Sequence, residues 1–294
     1  MLDPLLISRQ FAIALLTIAA ASFCIAGAPA ALAQDVSDWD VQAHAEARLI
    51  AGAMVKTADA TFVRAGVEIK LDPGWKTYWR DPGDSGMPPT LDFSGSDNVK
   101  AVAVLWPAPQ RFPDGAGGNS IGYLDHVVLP LRVTPVDAAK PSALHLKLGY
   151  EVCGNMCIPD EANLKLPLSG DGAEETTLEK AEIHVPRHVA FGAGKTSLAI
   201  LAIHREPGGA HERVIVDVAA PIGAPVDLFV EGPTPEWSLP LPELLPAPSG
   251  GNGKTRKFSF ELDGLPPNAE AKGAALIFTA VSGDDAIEVP AHLD

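Results

Sequence analysis

Cysteine is scarce in this chain: three in 294 residues, at Cys24, Cys153 and Cys157. A small scaffold stapled by many disulfides is excluded, so a hydrophobic core must hold the fold. Basic clusters are missing as well. Lys and Arg number 22 against 37 Asp and Glu, and the formal net charge is −15. Nothing in that balance can neutralise a phosphate backbone, which excludes nucleic acid and anionic membrane surfaces as partners. Beyond the first 25 residues no run approaches about 18 uncharged apolar residues, so the rest of the chain carries no membrane span. Long helical periodicity, low complexity and short-period repeats are absent too.

What is present begins with a secretory leader. Arg9 precedes an apolar run from Phe11 to Ile25, and Ala31-Leu32-Ala33 offers small residues for cleavage before Gln34. The bulky Phe23 argues against lipid modification at Cys24. An uncleaved anchor is the alternative reading, with the same compartment. Export predicts a periplasmic protein and places Cys153 and Cys157 where a disulfide can form and persist. Asp3 and Arg9 cancel, so the mature chain keeps the charge of −15.

Twenty-seven Pro and 27 Gly, with many Val and Leu, predict short strands and many turns. Residues 34–48 are polar and Ala-rich with weak helical character, which predicts a loose lead-in. In Thr61–Leu71 the odd positions are apolar while Arg64, Glu68 and Lys70 take the other face, the period of a half-buried strand. Further strands are predicted at 75–80, 99–106, 127–133, 144–152 and 164–168. Between the first two of these, Pro82, Pro88 and Pro89 with Gly83 and Gly86 predict turns and no helix. Residues 174–183 are the one good helix candidate, stopped by Pro186. Strand patterns return at 197–204, 213–218, 226–231, 257–262 and 274–281. The expected organisation is a leader at 1–33, a cysteine-bearing β-sandwich at 34–170, a linker at 171–192 and a second antiparallel sandwich at 193–294.

The chemistry is expected at Cys153-Gly154-Asn155-Met156-Cys157. A structural staple is one reading, but so short a loop contributes only roughly 2 kcal/mol in the chain-entropy model. A zinc site needs four ligands, and no second Cys or Cys/His pair completes a set. Copper(I) held by Cys153, Met156 and Cys157 stays open, because a thioether between two thiolates suits a soft ion. An inert reduced pair is disfavoured by the compartment. A reactive dithiol is the fourth reading: Gly154 lets the chain close a small ring, and such bridges are the exchange-prone kind. Glu151, Asp160 and Glu161 are expected to disfavour the thiolates, which suits a pair that reacts only with a docked partner. No organic cofactor is implied. Ser85 and Ser120 lack a local base, no Gly-x-Ser-x-Gly motif is present, and Asp81, Asp84 and Asp92 lie in turns where carboxylates cap backbone donors.

Four stretches carry a family resemblance: Gly74–Trp79, Asn119–Tyr123, Val128–Leu131 and Tyr150–Pro159. Together they resemble the N-terminal periplasmic domain of the DsbD/ScsB thiol:disulfide interchange proteins, most closely the ScsB-like branch, over about residues 45–170. The second half is similar to the following domain of ScsB-type proteins only in order and β character. The resemblance implies an all-β fold of immunoglobulin-like sandwiches. It implies a thiol:disulfide oxidoreductase of the protein-disulfide reductase type, with electrons arriving from a membrane relay through a thioredoxin-like domain. They would pass on to periplasmic isomerases or to thiols of cytochrome c biogenesis. It further implies that Cys157 forms the mixed disulfide and Cys153 resolves it, with Tyr78, Trp79 and Tyr123 around the site. Family members shield the pair with an aromatic cap. The matching loop here is Asp114–Gly118, with Phe112 the nearest aromatic. The chain lacks the multi-span relay and a thioredoxin Cys-x-x-Cys, so its reductant would be a separate protein. The rival functions are a copper-tolerance protein and a non-catalytic sandwich with a structural disulfide.

Overall fold

A computed structural model describes residues 35–168, 172–192, 197–207, 209–246 and 253–294. The expected leader at 1–33 lies outside the described residues. The first half contains β1 (Asp40–Val41), β2 (Ala45–Lys56), β3 (Thr61–Leu71), β4 (Lys76–Gly83), β5 (Thr90–Asp92) and β6 (Val99–Val104). It continues with β7 (Gln110–Pro113), β8 (Asn119–Leu124), β9 (His126–Pro135), β10 (Ser142–Cys153) and β11 (Cys157–Leu168). One sheet runs β1-β2-β3-β9-β6; the other runs β11-β10-β4-β8-β7, with β5 against β10. All of these ladders are antiparallel. Alternate residues of both sheets meet in one core: Leu49, Val67, Ile69, Leu129 and Leu131 from the first, Trp79, Ile121, Leu146 and Leu148 from the second. This is an immunoglobulin-like β-sandwich.

Of the lead-in expected at 34–48, residues 37–39 and 42–44 are irregular, but residues 40–41 form β1 and residues 45–48 open β2. Ala45, Ala47 and Leu49 are buried while Glu46 and Arg48 are half-buried on the other face. Helix-favouring Ala, Glu and Arg gave way to a period-two pattern with a ladder partner, β3.

The expected helix is α1 (Glu175–Ile183). It lies on the outer face of the first sandwich, where Leu178 is buried with Ile50 and Val128. Gly52 and Gly66 make room: a Cβ on either would fall 2.6 and 2.8 Å from Leu178 methyls. Arg64 pins the helix through ion pairs with Glu175 and Glu182.

Beyond it come β12 (Arg187–His188), β13 (Ala199–Glu206), β14 (Arg213–Ala219), β15 (Asp227–Glu231), β16 (Glu243–Leu244), β17 (Thr255–Glu261), β18 (Ala275–Ser282) and β19 (Asp285–His292). They form sheets β12-β19-β18-β15 and β13-β14-β17-β16 around Val214, Val216, Phe258, Phe278 and Ile287. The two-residue β12 pairs parallel with β19; the other ladders are antiparallel. The two sandwiches are joined firmly. Phe229 and Leu241 of the second enter the core of the first, where Phe229 packs on Trp79. Arg80 bonds both oxygens of Glu231 (2.8 and 2.7 Å) and also Glu288, and Arg111 bonds both oxygens of Asp227. No helix among the described residues is long and apolar enough to cross a membrane.

Candidate disulfide exchange site

Cys153 ends β10 and Cys157 begins β11, so the pair closes a tight hairpin. The two cysteines face each other across the ladder and form a disulfide, with their Cα atoms 4.1 Å apart. That separation belongs to a non-hydrogen-bonded pair of an antiparallel ladder. The Gly154 N–H donating to the Met156 carbonyl inside the turn fits the same pattern, with even-numbered residues making the ladder bonds.

Register decides which side chains reach the sulfurs. Cys153 lies opposite Lys76 of β4, and Lys76 lies opposite Leu124 of β8. Residues directly opposite share a face, and successive residues alternate. Cys157, Cys153, Glu151, Lys76 and Tyr78 therefore share the outer face of the sheet. Tyr78 reaches the bridge, its hydroxyl donating to Cys153 Sγ at 2.9 Å and lying 3.4 Å from Cys157 Sγ. Trp79 and Tyr123 take the opposite face and sit in the core. The Tyr123 hydroxyl donates to the Pro107 carbonyl.

The remaining expected surroundings divide in the same way. Met156, at the hairpin tip, is 66% exposed. Phe112, opposite Ser120, stands 5.7 Å from the Lys76 ammonium, which itself donates to Ser120 Oγ at 2.8 Å. Phe112 thus covers a neighbour of the bridge. Of the three carboxylates expected around the pair, Glu151 comes close: its carboxylate and the two sulfurs all lie within 4.8 Å of one another. Asp160 is even-numbered on β11 and turns to the other face. There burial, Asp40 and His44 together act on its carboxyl, with a net rise in pKa. Glu161 lies four residues along the strand from Cys157.

Two groups that the sequence pattern marks but does not place beside the cysteines complete the site. The first is the turn Asp81–Pro89, which folds over Tyr78. Gly86, at φ +101°, lies flat on the Tyr78 ring, where any Cβ would overlap it. The Met87 N–H donates to Glu151 at 3.1 Å, and Asp84 accepts from the Asn119 N–H. This cover explains why Tyr78 and Cys153, on an outer face, are only 2% and 1% exposed while Cys157 is exposed. The second is Trp75, whose ring lies against Gly154; a Cβ on that glycine would fall 2.9 Å from it. His44 stacks on the same indole at 3.8 Å.

The electrostatics are those of a guarded pair. Burial, helped by the negative charges of Glu151 and Asp114, raises the Tyr78 pKa, so the hydroxyl stays a donor. Burial lowers the pKa of Lys76 against the pull of Asp114. One sulfur is thus open to solvent, and the other is enclosed with a phenol aimed at it.

Residues 46–169 match the sequence model of the family described as "Thiol:disulfide interchange protein DsbD, N-terminal". The fold is similar to that of the N-terminal periplasmic domain of ScsB from Proteus mirabilis, with a TM-score of 0.67 and 23% identity. That similarity covers 88% of this chain and 98% of that one. No curated protein matches the chain.

Proposed function

We propose that this chain, whose first sandwich belongs to the family of DsbD N-terminal domains, exchanges its Cys153–Cys157 disulfide with thiols of periplasmic partner proteins. The observation that carries the reading is the asymmetry of the pair: Cys157 is exposed, whereas Cys153 is buried beneath Tyr78.

A partner thiolate attacks Cys157 Sγ, the sulfur it can reach. The Cys153–Cys157 bond breaks as the partner–Cys157 bond forms. Cys153 departs with the electron pair and accepts a hydrogen bond from Tyr78. A second partner thiolate then attacks the partner sulfur of the mixed disulfide. Cys157 leaves as the second thiolate, the partner keeps a disulfide, and this chain holds two thiols. Run backwards, Cys157 attacks a partner disulfide and Cys153 resolves it, so two electrons move on. Such steps are symmetrical, and the relative potentials set their direction. The chain then stands between a membrane-linked reductant on a separate protein and thioredoxin-like periplasmic acceptors. A periplasmic location is supported by the family and by the compartment named for the ScsB domain. In this reading residues 1–33 are a cleaved leader, and the second sandwich is a rigid support for β4.

The test is equilibration with glutathione mixtures, quantified by alkylation. The expected potential lies within reach of thioredoxin-like proteins, between about −120 and −270 mV. A pair that stays oxidised below about −300 mV and transfers nothing to a thioredoxin-like protein would sink the proposal.

A second reading is favoured by one observation: Glu151 and both sulfurs converge, with Met156 exposed beside them. Reduced, Cys153, Met156 and Cys157 suit copper(I). Titration of the reduced protein tests it. Stoichiometric binding abolished by Cys157→Ser supports it, and binding indifferent to that change removes it.

A further inference from the structure

Apolar side chains gather around the exposed sulfur. Met156, the residue before Cys157, stands out at the hairpin tip. Met87, on the covering turn, is 55% exposed. Its N–H is tied to the Glu151 carboxylate, which lies within 4.8 Å of both sulfurs. Leu124 belongs to the same outer face. It lies opposite Lys76, which lies opposite Cys153, so two strand spacings, about 10 Å, separate its backbone from that of Cys153. It too is exposed, at 39%. A lone exposed apolar side chain needs no explanation, but a group of them beside a reacting atom marks a contact surface. Neither the attack on Cys157 nor the departure of Cys153 uses them.

The charge beside this group is negative. Glu151 lies at the sulfurs, and both Glu151 and Asp114 act on the Tyr78 hydroxyl that meets the bridge. Lys76, the cation on this face, is held by Ser120 and drawn toward Asp114. The exposed sulfur is therefore bordered by apolar surface within an acidic field.

We infer that Met87, Leu124 and Met156 form a docking collar for one kind of partner, a folded thioredoxin-like protein whose reactive cysteine is itself ringed by apolar surface. The collar also selects against small anionic thiols. Glutathione carries a net negative charge and little apolar surface, so it gains nothing from the methionines and is repelled by Glu151. The collar spans more than a small thiol can cover, whereas a folded protein can bury all three side chains while its sulfur meets Cys157. Methionine suits the task, since its unbranched, polarizable side chain adapts to different apolar surfaces. A chain that must meet both a reductant and its acceptors needs that tolerance. The contact is also small, which suits an encounter that must dissociate after each transfer.

The inference rests on the exchange reading, and the test separates the two. The oxidised protein is reacted with reduced thioredoxin and, separately, with reduced glutathione, and the ratio of the two rates is the readout. Met87→Gln/Met156→Gln keeps side-chain length and neutrality but removes apolar contact. The ratio is expected to fall about tenfold, the scale set by burying the exposed part of two methionines. Met156→Gln alone, at the hairpin tip, is expected to lower it about threefold and serves if the double variant melts abnormally. Ile222→Gln, at an exposed position in the second sandwich, should leave the ratio unchanged. An unchanged ratio in the methionine variants, or an equal fall in Ile222→Gln, overturns the collar and leaves exchange intact. Wild-type protein that thioredoxin does not reduce overturns the exchange reading and the collar with it.

Discussion

Replacing Tyr78 with phenylalanine removes one hydroxyl from the sulfur site and keeps the ring that packs there. The hydroxyl stands 2.9 Å from Cys153 Sγ and 3.4 Å from Cys157 Sγ. In the oxidised protein it meets neutral sulfur, and its loss should matter little. In exchange, Cys153 departs as a thiolate inside a site where it is 1% exposed and Glu151 lies close. A hydrogen bond to a charged group contributes about 1.5–3 kcal/mol. At about 1.4 kcal/mol per factor of ten, Tyr78→Phe should slow attack on Cys157 by about tenfold to a hundredfold. The Cys153 thiol pKa, read from alkylation rates in Cys157→Ser, should rise by about one to two units for the same reason. Stopped-flow reduction by dithiothreitol measures the rate, and thermal melts of the oxidised protein check the fold. A Tyr78→Phe protein that melts normally and exchanges at the wild-type rate would refute the role given to the hydroxyl.

Other consequences follow from the same geometry. Gly86→Ala forces a side chain onto the Tyr78 ring from a left-handed backbone position. A loss of about 2 kcal/mol or more in urea denaturation is expected. Arg80→Ala strands Glu231 and Glu288 at the junction of the sandwiches, and about 3 kcal/mol should be lost; a loss below 1 kcal/mol would show that the junction does not depend on this pair. The three tyrosines, Tyr78, Tyr123 and Tyr150, all have pKa values raised, chiefly by burial. An unfolded tyrosine ionises near pH 10, so their contribution to stability is complete below that pH and is lost as pH rises toward the folded values. Absorbance at 295 nm should show less tyrosinate at pH 10 in the folded protein than in the chain unfolded in urea, and equal ionisation in the two would contradict the burial of these rings.

Much of this was legible in the sequence. The alternation in Thr61–Leu71 names the residues that enter the core, although the strand is buried on both faces, with Arg64 and Glu68 covered as well. The strand expected at 144–152 runs into the cysteines, but its partner begins at Cys157 rather than at the expected residue 164, and the hairpin this makes was not read. Residues 45–48 misled because alanines satisfy helix and strand patterns alike, and the pairing with β3 that decides between them is a long-range contact. Tyr78 and Trp79 were expected together at the site. Adjacent residues of a strand face opposite ways, so alternation alone says that at most one could belong. Which one depends on the register of Lys76 against Cys153, set by a pairing across more than seventy residues. The turn character of Asp81–Pro89 was readable from its prolines and glycines. That it covers Tyr78 was not, because the contact of Gly86 with the ring arises only once β4, β8 and β10 are assembled.

The central claim is that the bridge is functional and is entered through Cys157. Paired trapping tests it most directly: Cys153→Ser and Cys157→Ser proteins are produced in a periplasm, acid-quenched, and resolved under non-reducing conditions. Cys153→Ser should carry discrete partner proteins disulfide-linked to Cys157, released by reductant, while Cys157→Ser should carry few or none because Cys153 is enclosed beneath Tyr78. Equal trapping by the two variants, or none by either, would contradict the account.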